Sequence, residues 1–337
     1  MEICYLIVFP DSETRPAPIK EPIKGLKDAP YFQPVDIDLV PLGEEVFLFE
    51  GYSINVMRHR YDDYAQMIEC RYQISDPFAL PVLQTRASVQ SALQKRYVPQ
   101  EHLQSGMYEE YSILLTQDAP PAPDEWIEKN ALGLANFIRS QRDRFDSAEI
   151  DEILSSRMRY SAEELTLVDW EGALIVAPNA DYRSDIVLLK IGNYQLLRYR
   201  MLDQSIEDLL DKINDSFFRN RRRPRATRGL IRQIAEHKLE VMLDFERVEQ
   251  NLLLIGDWYT AKLYAAIQSE LYLDEWKDNV RAKLDNLESI MQTIRDNLAI
   301  SWENLLDQLQ LVLWLAMLFG YLYLYLLDAG IIVLTKR

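Results

Sequence analysis

The C-terminal end of the chain is an almost uncharged apolar run, and it limits what the whole chain can fold into. Between Leu311 and Leu334 the only charged residue is Asp328. A helix over these residues would be about 36 Å long, which exceeds the roughly 30 Å hydrocarbon core of a bilayer. The run therefore predicts a tail anchor, residues 311–337, that holds the preceding residues at a membrane surface.

Asp328 leaves the length of this span open. A helix over 311–334 would bury the Asp328 carboxylate in lipid, where such groups are costly and typical of pairing across an oligomer or of an ion path. A shorter span, 311–327, puts Asp328 at the far interface and is the simpler interpretation. The residues assigned to the span and its edges, with the tyrosines as part of an aromatic belt, are Leu311, Trp314, Tyr321, Tyr323, Tyr325 and Asp328.

The chain is strongly acidic, with 37 Lys and Arg against 53 Asp and Glu and a formal net charge of -16. Such a surface repels nucleic acid phosphates, so we predict that nucleic acid is not a partner. The chain has two Cys and three scattered His, which suggest neither a disulfide framework nor a tetrahedral zinc site. We therefore predict neither a metal nor a cofactor.

The N-terminal residues predict a strand rather than a signal peptide. The apolar stretch covers only residues 3–10, with no basic residues before it and no small-residue cleavage site. Tyr5, Ile7 and Phe9 would share one face of this strand. We accordingly expect a single-pass membrane protein whose N-terminal domain is cytoplasmic.

Residues 1–178 predict an α+β or α/β domain, because short runs rich in Tyr, Val, Ile and Phe alternate with polar helical stretches. The predicted strands are 3–9, 45–50, 64–74, 111–116, 165–170 and 173–177. The predicted helices are 85–96, 124–142 and 147–155. Asp124 is expected to cap the second of these helices.

Residues 179–310 predict long helices that form a coiled-coil-like stalk. Apolar spacings indicate a first helix over 184–218, a second over 229–271, and a third that starts with Asp274 as its N-cap and continues into the apolar run. The second and third helices would each be about 55 to 63 Å long. Their matching lengths predict an antiparallel hairpin.

The third helix carries an apolar seam at spacings of three or four residues, sustained for over four heptads. The seam predicts either packing on the second helix or self-association into a homo-oligomer, and both remain open. Its members include Trp276, Leu284, Leu287, Ile294, Leu298 and Trp302.

Six arginines lie within residues 219–228, between the first and second helices. The hairpin would return them to the level at which the span begins, where each basic residue contributes about 1 kcal/mol to binding anionic headgroups. The alternative is a solvated loop that helps to set the topology. The predicted lipid-binding residues are Arg219, Arg221, Arg222, Arg223, Arg225 and Arg228.

No pattern in the chain names a reaction. The sequence contains no nucleophile elbow, phosphate loop, H-E-x-x-H motif or dinucleotide fingerprint. We therefore name no catalytic residue, and we predict that the protein is not an enzyme.

Three stretches in the second half resemble a known group of proteins. They are 159–178 (RYSAEELTLVDWEGALIVAP), 186–210 (IVLLKIGNYQLLRYRMLDQSIEDLL) and 248–284 (VEQNLLLIGDWYTAKLYAAIQSELYLDEWKDNVRAKL). Together they resemble uncharacterised prokaryotic membrane proteins, more distantly similar to the family of the yeast protein required for meiotic nuclear division. The resemblance implies an α/β domain, long helices and a C-terminal transmembrane segment, and it carries no catalytic residues. Residues 1–150 resemble no family that we can name.

The order of domain, stalk and span also resembles the layout of CorA-type magnesium channels, whose second span and Gly-Met-Asn loop are absent from this sequence. We predict a membrane-anchored, non-enzymatic scaffold or interaction protein that forms a homo-oligomer and has an unidentified protein partner. The alternative is an oligomeric ion channel or transporter-like protein with a cytoplasmic sensor domain. A third interpretation is an enzyme that uses a cleft within residues 1–178.

Overall fold

The computed structural model describes residues 1–11, 21–22, 38–62, 64–117, 123–141, 145–215, 232, 235–236, 238–243, 245–246 and 258–328. The chain divides into two compact units, Met1–Arg281 and Ala282–Arg337.

A mixed β-sheet, with nine strands among the described residues, organises the first unit. The strands are β1 Glu2–Pro10, β2 Glu21–Pro22, β3 Asp38–Phe49, β4 Tyr52–Tyr61, β5 Ala65–Gln73, β6 Glu109–Thr116, β7 Arg157–Met158, β8 Leu165–Val168 and β9 Gly172–Val176. They stand in the order β2-β3-β4-β5-β1-β6-β9-β8-β7. Every neighbouring pair is antiparallel except β6 and β9, which are parallel.

Strand β1 lies in the middle of this sheet, between β5 and β6. Every residue from position 3 to position 9 is buried, which explains why the strand is almost continuously apolar instead of alternating. Tyr5 pairs with Cys70 of β5 and with Ser112 of β6. The predicted strand 3–9 is confirmed, and Tyr5, Ile7 and Phe9 pack in one core cluster as expected.

Helices cover both faces of the sheet. The cluster around Tyr5 takes buried residues from α1 Leu80–Tyr97, α4 Ala131–Ile138 and α5 Ser147–Ile153, while α2 Gln100–Ser105 and α3 Pro123–Lys129 are short connecting helices. The opposite face contacts α6 Arg183–Ile213 and α7 Trp258–Glu270. Lys190 of α6 contacts Glu69 of β5, and Glu69 pairs with Leu6 of β1. Because neighbouring side chains of a strand point to opposite faces, Leu6 lies on the face opposite Tyr5, and α6 packs on that face.

Helix α6 is a core helix. Nearly every residue from 184 to 199 is buried, whereas a surface helix shows a single apolar stripe. The predicted helix 184–218 corresponds to α6 over its described length. The structure places α6 and α7 in the same compact unit as the sheet, although the sequence assigned both of them to a stalk after residue 178.

A buried ion pair joins α6 to the sheet. The Lys190 ammonium contacts the Glu69 carboxylate, and Arg71 contacts the second oxygen of the same carboxylate. Burial alone would raise the pKa of Glu69, but the Lys190 and Arg71 charges lower it below its ordinary value. Glu69 therefore stays ionised inside the fold, because its two cationic partners offset the cost of removing it from water.

Each predicted strand corresponds to an observed strand, although β3 begins seven residues before the predicted strand 45–50. The two-residue strands β2 and β7 and the long strand β4 were missed. Its sequence, YSINVMRHRY, ends in a run of basic residues that is unusual for an inner strand. Arg60 is buried there, and its Nε lies 2.5 Å from Asp11 Oδ2. A partner from the end of β1 thus makes a buried arginine tolerable, and the local sequence contains no sign of that partner.

The predicted helix 124–142 is two helices, α3 and α4, that meet at Asn130. Asp124 does not cap α3 as predicted, because that helix begins at Pro123 and Asp124 lies in its first turn. Its carboxylate instead forms ion pairs with Arg157 and Arg159. Asp124 thus serves as a partner for two arginines at the surface and not as a helix cap.

The third predicted helix is observed as α8 Leu273–Asp328, which is helical without a break from the end of the first unit to the apolar run. Asp274 is in its first turn and does not precede it. Tyr272, at a positive φ of 50°, ends the two-residue turn after α7. The antiparallel partner predicted for this helix falls partly on residues outside those described, so the long hairpin remains a prediction.

Gly192 offers a test of how α6 and α7 pack. A Cβ at this position would lie 2.4 Å from Ile267 Cγ2 and 3.1 Å from Leu271 Cδ1. Gly192→Ala should therefore destabilise the protein by about 1–3 kcal/mol, although the same change in an open helix stabilises it by about 1 kcal/mol. Thermal and denaturant unfolding of the full chain in detergent would measure this.

The matched control is Gly320→Ala, where no atom lies within 4 Å of the added Cβ. In the double variant with Ile267→Ala, the cost of Gly192→Ala should shrink, since the clashing methyl is removed. Strict additivity of the two changes would contradict the packing described here.

Candidate functional site

The C-terminal part of α8 is the first candidate site. Residues Asp307–Leu326 form a helix of 20 residues with a mean hydropathy of 1.8, and none of the window is buried. Trp314 is 64% exposed and Tyr325 is 69% exposed. This helix is long and apolar enough to cross a membrane.

The predicted span residues lie where the sequence placed them along this helix. Leu311 and Tyr321 are exposed, Tyr323 is a residue of the same helix, and Asp328 is the last residue of α8. Residues 329–337 lie outside the described residues. The shorter span, 311–327, and the longer span, 311–334, therefore both remain open.

The predicted seam residues fall in α8 as well. Leu284 and Leu287 are buried and Trp276 is half-buried. Ile294, Leu298 and Trp302 lie further along the same unbroken helix. The six arginines of the predicted lipid-binding cluster, 219–228, lie outside the described residues, and their role stays a prediction.

A second candidate site is a cavity of about 350 Å³ in the first unit. It lies where β6 begins. Gly172 opens β9 opposite Ser112, so Glu109 and Glu110 of β6 extend past the end of their parallel neighbour. The cavity occupies this notch, and α6 forms another of its walls through Asn193 and Leu196.

One arginine holds the rim of the cavity together. Arg200 of α6 donates from Nη2 to the Gly106 carbonyl at 2.7 Å and from Nη1 to the Tyr108 carbonyl at 3.2 Å, and it pairs with the Glu109 carboxylate. Gly106, Tyr108 and Glu109 all line the cavity. The segment that leads into β6 is therefore fastened to α6.

Buried polar side chains support the floor. Arg86 donates to the Phe137 carbonyl at 2.7 Å and to the Ser140 hydroxyl, and Gln90 Nε2 donates to Ser112 Oγ at 2.8 Å. Both serines line the cavity. Their oxygens accept these bonds, which leaves each hydroxyl hydrogen available to a group in the cavity.

Asn193 is the polar residue that α6 contributes. It is 2% exposed, and its Nδ2 donates to the Leu189 carbonyl at 2.8 Å. A carbonyl cannot donate, so this bond fixes the orientation of the amide. Within the part of the chain that the structure describes, Asn193 Oδ1 accepts no hydrogen bond, and the residue lines the cavity.

Carboxylates give the cavity its charge. The half-buried Glu171 lines the cavity, and its carboxylate forms no ion pair among the described residues. Burial raises the pKa of Glu171, and the Arg139 guanidinium lowers it only in part. Burial likewise raises the pKa of Glu109, against the opposing charge of Arg200. Burial thus favours the neutral form of both carboxyls, and the nearby arginines offset this effect only in part.

Asp169, next to this wall, has a cation beside it, although burial raises its pKa as well. Its carboxylate contacts Arg139 at 3.0 Å through Nη2 and at 2.8 Å through Nε. Tyr111 OH lies 2.7 Å from the Asp169 carbonyl and 2.8 Å from the Gly172 carbonyl. These bonds hold the β8–β9 turn, and Trp170 and Glu171 at its tip both line the cavity.

No group of three or more His, Cys, Asp or Glu side chains that could hold a metal ion is found over the described ranges. The expected absence of a metal is thus left untested for the whole chain. The cavity instead offers carboxylate and amide acceptors, hydroxyl donors and the half-buried ring of Trp170. This set can bind an organic molecule through hydrogen bonds and charge.

The sequence did not identify the cavity, because its walls come from segments far apart in the chain. Asn193 did not stand out in the sequence, because Lys190, Gln195 and Arg198 also interrupt this part of α6. Glu109 and Glu110 were indistinguishable from the many other acidic residues of the chain.

Comparisons with known proteins support an uncharacterised prokaryotic family. The family model described as "Uncharacterized protein MJ0711, N-terminal domain" matches residues 27–182. The uncharacterized protein MJ0711 of Methanocaldococcus jannaschii is 23% identical over 191 residues, which are 55% of this chain and 57% of that protein. The chain thus matches less than two thirds of its relative's length. No solved structure matches.

The family match extends the resemblance toward the N-terminus. The matched residues include the quoted stretch 159–178, and they also cover most of residues 1–150, for which the sequence named no family. The matched region contains β3 to β9 and ends before α6. The matched region thus includes most of the sheet but not its strands β1 and β2.

The raised pKa of Glu171 yields a pH prediction. A carboxyl whose folded-state pKa exceeds its unfolded value of about 4.3 contributes stability below that value and loses it as pH rises through the folded pKa. Glu171→Gln removes the charge and keeps the shape. The variant should melt a few degrees above wild type at pH 7.5, with a smaller difference at pH 5.

Melting curves of both chains at the two pH values would measure this difference. Glu163→Gln is the matched control, because Glu163 is exposed on the loop before β8. A Glu171→Gln effect that is equal at both pH values would show that its charge is not the cause.

Proposed function

We propose that the protein is a membrane-anchored, non-enzymatic interaction protein whose N-terminal domain works at the cytoplasmic surface of a membrane. The observation that supports it most is the exposed apolar part of α8, residues Asp307–Leu326. An exposed apolar surface of this size is typical of a membrane or protein contact. The same unbroken helix begins at Leu273 in the first unit, which ties that unit to the anchor.

The composition of this helix favours lipid over a protein groove as its environment. Between Asp307 and Asp328 no residue is charged, so the helix is apolar on all sides. A helix that docks in a groove of a soluble protein has one apolar stripe and a polar back. A helix that is apolar all round suits a bilayer.

Self-association is part of the proposal. The seam residues Ile294, Leu298 and Trp302 continue the heptad-like spacing toward the apolar run. The order of domain, long helix and span resembles that of CorA-type channels and of the family required for meiotic nuclear division, and this resemblance supports a membrane assembly. A homo-oligomer would present several N-terminal domains, and their unidentified protein partner, at one place on the membrane.

Anionic lipid is the further partner that we propose. The six arginines within 219–228 form a positively charged segment in a chain whose net charge is strongly negative. Such a cluster gains free energy near an anionic surface, about 1 kcal/mol for each arginine. The proposal assigns this role to the arginines and leaves the acidic domain in solution.

The anchor can be tested by alkaline extraction of membranes. Wild-type protein should stay in the membrane pellet. Leu315→Arg with Leu318→Arg should move most of the protein to the soluble fraction, because each arginine near the middle of a span costs about 2.5–3.5 kcal/mol.

Gln308→Arg with Gln310→Arg adds the same charge at the start of the helix and should leave the protein in the pellet. The mass of the detergent-solubilised wild type, measured in the same preparations, should be a multiple of the chain mass of 39.5 kDa. Wild-type protein that alkaline buffer extracts would contradict the anchor, and a monomeric mass would contradict the oligomer.

The arginine cluster can be tested by flotation. A chain that ends at residue 310 should float with vesicles that contain anionic lipid and should stay behind with neutral vesicles. Replacement of Arg221, Arg222, Arg223 and Arg225 by Ser should remove most of the flotation, and about 1 M salt should do the same because it screens the charges. Flotation that survives the four replacements would exclude the cluster as the lipid site.

A further inference from the structure

The outer side of β3 is a strand edge with an apolar surface. Among the described residues, β2 is the neighbour of β3 on this side, and it pairs only with Asp38 and Leu39. No other described strand pairs there with the rest of β3, which extends to Phe49. Val46 is 61% exposed and Leu48 is 75% exposed. A long apolar edge of this kind is a template for pairing with a further strand.

The turn that follows β3 decides which backbone groups face outward. The two-residue turn 50–51 has positive φ angles of 48° and 82°, so the flanking residues Phe49 and Tyr52 form a hydrogen-bonded pair. Hydrogen-bonded and non-hydrogen-bonded positions alternate along an antiparallel strand. Every second residue of the β3 edge, which we define as residues 43–49, therefore directs its N–H and C=O away from β4. These residues are Glu44, Val46 and Leu48.

A second copy of the same edge fits these outward groups. Two copies related by a two-fold axis pair antiparallel, and side chains that lie opposite each other share a face of the sheet. With the axis at Val46, Glu44 would lie opposite Leu48 of the second copy, and about six backbone hydrogen bonds would form. An axis at Glu45 or at Phe47 would instead place two glutamates opposite each other, which is unfavourable.

The other face of the β3 edge offers charge complementarity in the same register. Phe47 would lie opposite Glu45 of the second copy. The Arg96 guanidinium lies 5.0 Å from the centroid of the Phe47 ring, and its Nη2 is 3.3 Å from Oε2 of Glu45 in its own chain. The Arg96 side chain is 49% exposed, so its remaining N–H groups can reach a second carboxylate. Each arginine would then contact one glutamate from each copy.

We propose that the β3 edge pairs with the β3 edge of a second copy and joins two sheets into one. The register shift between Pro41 and Gly43 ends the edge, so the contact is closed and self-complementary. A pair of strands of this length buries less than the roughly 1,600 Å² of a typical stable interface. The membrane anchor keeps two copies close enough to pair, and this step rests on the proposed function.

Disulfide formation between single cysteines tests the pairing in the full chain, in membranes. The natural Cys4 and Cys70 are buried and free, so they do not compete. In the proposed register the two Val46 Cα atoms lie about 5.5 Å apart, within the roughly 4.4–6.8 Å that a disulfide spans. Val46→Cys should therefore give a disulfide-linked dimer after mild oxidation, measured on a non-reducing gel.

Leu48→Cys is the matched control. Leu48 is exposed on the same face as Val46, but its Cα atoms in the two copies would lie about 14 Å apart, because four residues separate each from the position opposite the other. This variant should give little dimer, and so should Glu44→Cys. When the two variants are co-expressed, a disulfide should form between them, since these two positions lie opposite each other.

A second pair of variants tests the arginine. In the Val46→Cys background, Arg96→Gln should slow disulfide formation severalfold, because the two Glu45 carboxylates then lose their shared cation. Lys95→Gln removes the same charge from the neighbouring exposed position and should leave the rate unchanged. A melting curve of each variant checks folding, and the cysteine pattern alone provides the test should Arg96→Gln not fold.

The outcomes separate the edge contact from the anchor. Protein that stays in the membrane pellet after alkaline extraction but gives no Val46→Cys dimer would overturn the edge pairing and leave the anchor intact. Protein that leaves the pellet and still gives this dimer would support the pairing and contradict the anchor.

Two further results would overturn the pairing. Equal dimer yields from Val46→Cys and Leu48→Cys would show unspecific contact between apolar surfaces. Protection of Val46→Cys from a small thiol reagent, without any dimer, would show that another strand covers the β3 edge.

Discussion

The buried ion pair between Lys190 and Glu69 determines how α6 lies on the sheet. Glu69 is 2% exposed in the strand next to the central one, and a carboxylate in that position is stable only with a cation beside it. Lys190 supplies the cation. One turn further along, Tyr194 OH donates to Asp62 at 2.6 Å. The helix is therefore held to the β4–β5 side of the sheet by polar contacts at positions 190 and 194, four residues apart.

The same placement of α6 builds the cavity. Residues 193, 196 and 200 follow a neighbouring stripe of the helix, at spacings of three and four. Asn193 and Leu196 form a wall, and Arg200 binds the segment before β6. The cavity is thus a consequence of how one core helix is docked, and its acidic residues come from β6 and from the β8–β9 turn.

The two units of the chain differ in the chemistry of their side chains. The first unit pairs most of its buried charges internally, as Arg60 with Asp11 and Arg139 with Asp169 show. The apolar part of α8 in the second unit has no such polar complement and exposes large side chains such as Trp314 and Tyr325. Water is an unfavourable environment for this exposed apolar surface, and a bilayer is a favourable one.

The sequence by itself determined the elements whose signals are local: the central strand from its unbroken apolar run, helix α6 from its spacing, and the apolar helix after Leu311, whose end it left open. It missed β4, because the buried Arg60 depends on Asp11, the residue that follows β1. It placed α6 in a stalk, because periodicity shows that a helix has apolar positions but not what covers them. Only the tertiary structure brought Asn193, Glu109 and Glu171 to one cavity. Residues so far apart in the chain meet only through strand order and helix docking, which no local pattern of side chains contains.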